Sequence, residues 1–338
     1  NGNKTSLAIK IKSEHGQALI QQLAQKVDVI SENFAPGTMS KYGIGGPALT
    51  ALNPRLIYAS STGYGNADGP YRDYLGMDIT LQAISGVMSV TGEEGGPPLK
   101  TAAAFADFIA GTHLYAAIVT ALFRRETTGQ GAIVDISMQD CVFPTLATTI
   151  GSFYAQGKQM PRAGNRHTGN TLAPYNTYVA SDGYIAIICI REGHFKKLCQ
   201  AMDRPELAED PRFHNFAARC QNVTELDAEI TRWSAPKSRQ TLLALTQAHG
   251  VICAPVNHLS EVVTDPHMTA RGSLHQRPHE TLGMIAQMQT PLRLSGDTPP
   301  ALTSPAALGA DSSEVLHDLL GLSQADMATL VEQGAIAL

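Results

Sequence analysis

Apolar and polar positions alternate in SLAIKIK (residues 6–12), then switch to helical spacing in SEHGQALIQQLAQK (13–26), where Leu19, Ile20 and Leu23 share one face. Ser13 stands where a helix N-cap belongs. VDVISENF (27–34) and RLIYASSTGYG (55–65) return to strand-like runs, and strand, helix, strand at this spacing predicts a parallel α/β sheet. GMDITLQAISGVMSVTG (76–92) reads as a helix and a turn. The clearest helix covers 105–125, with Phe105, Phe108, Ile109, Thr112, Tyr115, Val119, Leu122 and Phe123 in helical period. Arg124 and Arg125 sit in its last turn, where cations complement the helix dipole, and TTGQG ends it. A strand, AIVDIS (132–137), follows and runs into a helix expected to reach about Gln156.

Beyond that helix the texture changes. GKQMPRAGNRHTGNTLAP (157–174) reads as a boundary. DGYIAIICI, VICAPV and MIAQMQTPL are short strands separated by helices and polar loops. GDTPPALTSPAALGADS (296–312) is a Pro/Ser-rich linker before the helix SSEVLHDLLG and a helical tail. The expected fold is α/β, a large domain over 1–175 with a parallel, Rossmann-like sheet and a smaller α+β domain over 178–290. Residues 291–338 are expected to be linker and C-terminal helices returning to the large domain.

Hydrophobic residues make up 43% of the 338 and charged residues 16%, enough for a large core. A net charge of −5 gives no basic footprint for nucleic acid. The five cysteines form no CxxC pair, which argues against a disulfide framework or a zinc site and for a reducing compartment. No uncharged apolar run reaches 18 residues, so no membrane span is expected, and the first residues lack the apolar core of a signal peptide. The expected location is the cytoplasm.

In SMQD (137–140), Asp140 lies near a helix N-terminus. It either caps the helix or complements its dipole, or it is a nucleophilic carboxylate at the carboxyl end of a parallel strand, where such sheets place their ligands. Asp135 reads as a polar strand-end position. GIGG (43–46) and GYGNADG (63–69) lack the pattern of a nucleotide fingerprint and read as turns. GNRHTGN (164–170) reads as a surface loop or a mobile cover over a pocket. The eleven histidines show no metal-ligand spacing, and Met77, Met88, Met138 and Met160 read as core filler.

Several stretches resemble the class III CoA-transferase family, which includes formyl-CoA transferase and, as a divergent branch, α-methylacyl-CoA racemase. They are DVISENFAPGTMSKYGIG, LNPRLIYASSTGYGNADGPYRD, AAFADFIAGTHLYAAIVTALFRRETTGQGAIVDISMQD, GNRHTGNTLAPYNTYVASDGYIAI and CAPVNHLSEVVTDPH, in family order over nearly the whole chain. The resemblance implies transfer of CoA from an acyl-CoA to a small carboxylic acid, with Asp140 as the nucleophile and no metal. It implies that Asn33, Phe34 and Lys41 of ENFAPGTMSK meet CoA, with Met77 and Asp78 also at the cofactor site. The racemase branch uses a His in a GHD stretch, where this chain has GMD. Met77 cannot carry a proton, so the transferase branch is implied. A racemase or epimerase, or a non-catalytic CoA-binding protein, are the alternative readings. The resemblance further implies an interlocked homodimer, a lid over the site formed by residues 163–170, and a strand–helix segment ahead of the NKTSLAIKIK region.

Overall fold

The computed structural model describes residues 2–279, 281–298 and 300–337. The strands are β1 (Ala8–Ile9), β2 (Val29–Glu32), β3 (Ile57–Thr62), β4 (Ala132–Ser137), β5 (Tyr175–Ala180), β6 (Gly183–Ile188), β7 (Ile252–Pro255), β8 (Leu274–His279), β9 (Gly283–Met288) and β10 (Ile336–Ala337). The chain forms two compact units, one of residues 1–81, 104–142 and 260–338, the other of 82–103 and 143–259.

In the first unit β2, β3 and β4 form a parallel sheet in that order. All six residues of β3 are buried, as expected of a central parallel strand with both faces covered. The register places Ile30, Tyr58 and Ile133 in one row and Glu32, Ser60 and Asp135 in the next. Because side chains alternate, both rows lie on one face and Ser31, Ser61 and Ile136 on the other. Gly46, opening the helix Gly46–Leu52, lies against Tyr58 and Ile133, so that helix covers part of the first face. Met39, Ile44, Leu49 and Leu56 complete the core there.

The helix Phe105–Thr128 packs on β3 and β4 and is closed by Gly129 at φ 69°. Its buried residues are Ala106, Ala110, Ala121 and Arg125, and not the aromatic stripe that the periodicity singles out. Phe108 and Phe123 remain 71% and 76% exposed. Small side chains let the helix axis approach the sheet, and the bulky residues are left on the outer side. By length and composition this helix is long and apolar enough to cross a membrane, and it lies along β3 and β4. Arg125 is buried and reaches Asp28 at 2.9 Å and Arg55 O at 3.1 Å.

Two expected elements are shorter. SLAIKIK yields only β1, which pairs with β10 so that the C-terminal tail returns to the first helix around Leu19, Leu316 and Ile336. The helix expected after β4 breaks into Met138–Val142, a tight turn Phe143–Leu146 and the helix Ala147–Gln156. Pro144 lacks an N–H donor and crowds the preceding turn, which accounts for the break. Ser13 caps the helix Glu14–Ala24, accepting the Gly16 N–H at 3.0 Å.

The second unit holds the antiparallel sheet β5–β6–β7 over a core of Tyr178, Ile185, Ile187, Phe195, Leu198 and Phe213. Arg219 is fully buried in that core, between the rings of Phe195 and Phe216. It donates to Ala173 O and Phe213 O, each at 2.9 Å, and pairs with Glu192 at 2.8 Å. Arg219→Ala strands two buried carbonyls and opens a cavity between two rings, so it should destabilise this unit by about 2–4 kcal/mol. Trp233, the single tryptophan, packs against the same core and reports its urea unfolding by fluorescence; an unchanged midpoint would refute the assignment.

Candidate active site

Parallel strands bring their carboxyl ends to one edge, where open α/β sheets bind ligands. Two clefts open at this edge, on opposite faces of the sheet. One, of about 600 Å³, is lined on the helix Phe105–Thr128 side by Ser31, Asn33, Ser61, Met77, Asp107 and Met138. The other, of about 330 Å³, is lined by Tyr58, Ser60, Asn66, Arg72, Asp73 and Asp135. Glu32, Phe34, Ala35, Pro36 and Thr62 line both, so the ENFAP loop straddles the end of the sheet.

Glu32 fixes that loop. Its carboxylate accepts the Phe34 N–H at 2.8 Å and the Tyr58 hydroxyl at 3.4 Å. At the end of β4, Asp135 accepts the Asn66 N–H at 3.0 Å to each of its two oxygens, and the Asn66 Nδ2 at 3.0 Å. Asn66 Nδ2 also donates to Ser60 Oγ at 3.2 Å. The loop after β3 is thus folded back onto the sheet end. It closes where Gly63 and Gly76 touch: a Cβ built on Gly76 would lie 2.9 Å from Gly63 Cα, so only glycine permits the approach. That closure sets Met77 in the larger cleft, 71% exposed and not in the core.

Asp78 accepts the Ala106 N–H at 2.8 Å and so joins the starts of two helices. Its charge adds to burial, the larger cause, in pushing the neighbouring Asp107 carboxyl up from its ordinary value. Asp140 sits exposed in the first turn of Met138–Val142. The helix is capped by Ser137, whose Oγ accepts the Asp140 N–H at 3.1 Å, while the Gln139 N–H donates to Gly63 O at 3.1 Å. Capping therefore falls to Ser137. Burial, and then the Asp140 charge, push the Cys141 thiol up. Asp140 lies two residues past Met138 and among the lining residues of neither cleft.

Of the residues singled out in the sequence, Asn33, Phe34 and Met77 meet in the larger cleft, with Asp78 next to Met77. Lys41 lines neither cleft; it is exposed, with Nζ 5.8 Å from the centre of the Tyr42 ring. Residues 163–170 belong to the second unit. There the Gly164 N–H donates to Gly92 O at 2.9 Å and Asn165 Nδ2 to Thr177 Oγ1 at 2.9 Å. Arg166 pairs with Asp227 at 2.8 Å, a carboxylate that also accepts from Tyr178 and Asn176.

The family model for CoA-transferase family III matches residues 1–312. The chain belongs to CoA-transferase family III. It is a CoA-transferase, a class of enzyme that works on CoA thioesters. It is 34% identical to the formyl-CoA:oxalate CoA-transferase of Streptomyces avermitilis, over 99% of this chain and 85% of the relative. It is 35% identical to the succinyl-CoA–D-citramalate CoA-transferase of Chloroflexus aurantiacus, over 97% of this chain and 81% of the relative. The crystal structure of a CAIB/BAIF family protein from Brucella suis superposes with a TM-score of 0.81 at 34% identity, covering 94% of this chain and 82% of that one.

Glu32, Asn66 and Asp107 line the clefts and were not singled out in the sequence. One signal was available for Glu32. A charged residue closing an otherwise apolar strand calls for donors nearby, and the Tyr58 and Phe34 donors lie within two rows of it. Asn66 and Asp107 become visible only once the loops are folded.

Burial, reinforced by the charge and hydrogen bond of Glu32, pushes the Tyr58 phenol up from its ordinary 10.0. The folded state thus keeps this proton to higher pH than the unfolded chain does. The stabilisation is fully present below about pH 10 and is lost as pH rises further. Between about pH 10 and 11 the wild type should lose up to about 1.4 kcal/mol more stability than Tyr58→Phe. Urea unfolding followed by circular dichroism across this range checks it; equal losses would exclude a protonated, buried phenol.

Proposed function

We propose that the enzyme moves CoA from an acyl-CoA donor to a small carboxylic acid through covalent intermediates on Asp140. The carrying observation is that the Asp140 carboxylate is exposed and accepts no hydrogen bond from any described residue, whereas Asp135 and Asp78 at the same sheet end are engaged. A carboxylate nucleophile needs a free lone pair, and Asp140 follows two residues after Met138, which lines the larger cleft. In the proposed cycle an Asp140 oxygen attacks the donor thioester carbonyl, the C–S bond breaks, and CoA leaves as thiolate. The thiolate attacks the Asp140 acyl carbon of the mixed anhydride, and the donor acid departs. The acceptor carboxylate then attacks the aspartyl thioester, and the thiolate returns to the acceptor's acyl carbon. Asp140 is regenerated, every intermediate is an activated acyl group, and no other reactant is consumed.

In this reading Asn33, Phe34, Met77 and Asp78 hold the acyl-CoA along the larger cleft, and Lys41 meets a CoA phosphate as a point charge. Its polar and apolar lining and its volume suit a thioester with a short acyl group. The names of the relatives support formyl-CoA or succinyl-CoA as donor and oxalate or citramalate as acceptor. Met77 in the cleft supports transfer over racemisation, since a thioether moves no proton. The exposed Phe108, Tyr115, Val119 and Phe123 support the homodimer that the family resemblance implies.

Intact-mass analysis and peptide mapping after incubation with succinyl-CoA or formyl-CoA should place a CoA adduct, discharged by hydroxylamine, on the peptide containing Asp140. Asp140→Asn should abolish it and lower exchange by about 10³-fold or more. Retained exchange in that variant would end the proposal. Lys41→Gln should raise KM for acyl-CoA about threefold at low salt, the size expected of one exposed charge, with kcat nearly unchanged. A fall in kcat instead would move Lys41 to the reacting centre.

A further inference from the structure

We propose that a third cleft, built on β8 in the first unit, binds a small organic anion carrying two or more acidic groups. The cleft has a volume of about 490 Å³ and shares no lining residue with the two clefts at the sheet end. Arg271, Arg277 and Arg293 line it together with His275, and no Asp or Glu lines it among the described residues. Three arginines thus line one cleft in a chain whose net charge is −5. Neither the Arg271 nor the Arg277 side chain has a hydrogen-bond or ion-pair partner among the described residues. Gathering like charges with no counter-charge among the described residues is unfavourable, and an anion relieves it.

The walls are built ahead of any ligand. His275 and Arg277 are two apart on β8 and so project from one face of the hairpin. Gln287 and Gln289 tie the backbone of the facing segment, donating to Thr303 O at 2.9 Å and Pro300 O at 3.0 Å. Asn3 Nδ2 donates to Ala301 O at 2.8 Å. Arg293 is anchored on main-chain carbonyls, with Nη2 3.0 Å from Arg271 O. Guanidinium forks match carboxylate and phosphate oxygens, so both chemistries suit the cationic wall. The opposite wall, with Leu302 and Ala301, is apolar and favours a ligand with a carbon skeleton over a bare inorganic ion. This site does not depend on the role proposed for Asp140.

Calorimetric titration of the full chain at low ionic strength tests it, with citrate as the polycarboxylate probe, glycerol 3-phosphate as the phosphate-ester probe and inorganic phosphate alongside. Citrate or glycerol 3-phosphate should bind more tightly than inorganic phosphate, and the tighter of the two identifies the source of the acidic groups. In Arg271→Gln/Arg277→Gln the affinity should fall about tenfold or more, as expected for the loss of charge-assisted contacts, with CoA exchange in the absence of added anion unchanged. Should the double variant not fold, Arg271→Gln alone, at an exposed position, should weaken binding about threefold. No binding of either organic probe to the wild type, or equal affinity in wild type and a folded variant, overturns the proposal, as does inorganic phosphate binding as tightly as the organic probes.

Discussion

β3 is paired with β4 along its whole length and with β2 from Ile57 to Ser60, and it is buried at every residue, so neither neighbour can slip without turning its own side chains to the wrong face. That register puts Glu32 and Asp135 level with one another at the sheet end, one strand apart on either side of Ser60. Glu32 is half-buried, where a charge without hydrogen bonds is costly, and Asp135 is exposed and offers two acceptor oxygens to the loop beside it. Glu32 draws in the Phe34 N–H and Asp135 draws in Asn66, and each bond folds the loop that follows one strand. The loops that line the clefts are therefore shaped by charges belonging to the sheet.

Much of this architecture could be read from alternation and turn residues. β2, β3 and β4 follow from their apolar runs, and the Ser13 cap follows from its place ahead of a helical period. The orientation of the helix Phe105–Thr128 did not follow. Periodicity marks Phe108, Tyr115 and Phe123 as the apolar face, but close packing on a sheet selects for size as well as polarity, and the alanines won the contact. The break at Pro144 was lost for a similar reason, since the composition on either side of it stays apolar and only the missing donor signals it. The site was legible in its parts. Family-like motifs pointed to Asn33, Phe34, Met77 and Asp140. The placing of Met77 beside Asn33 and Phe34 depends on the contact of Gly63 with Gly76, thirteen positions apart, which no local pattern reveals.

The acidic groups around this edge divide by what they already hold. Glu32, Asp78 and Asp135 each accept a backbone N–H, and attack by any of them would first give up a bond that shapes a loop or a helix start. Asp140 is held differently. Its position is set through its own main chain, by Ser137 beneath it, and through Gln139 bonded to Gly63. The carboxylate is thereby oriented without being occupied, and a reaction on it leaves the surrounding hydrogen bonds intact. That separation suits the nucleophilic role proposed for Asp140, because a change of charge and bulk on the carboxylate need not disturb the strand end that carries it.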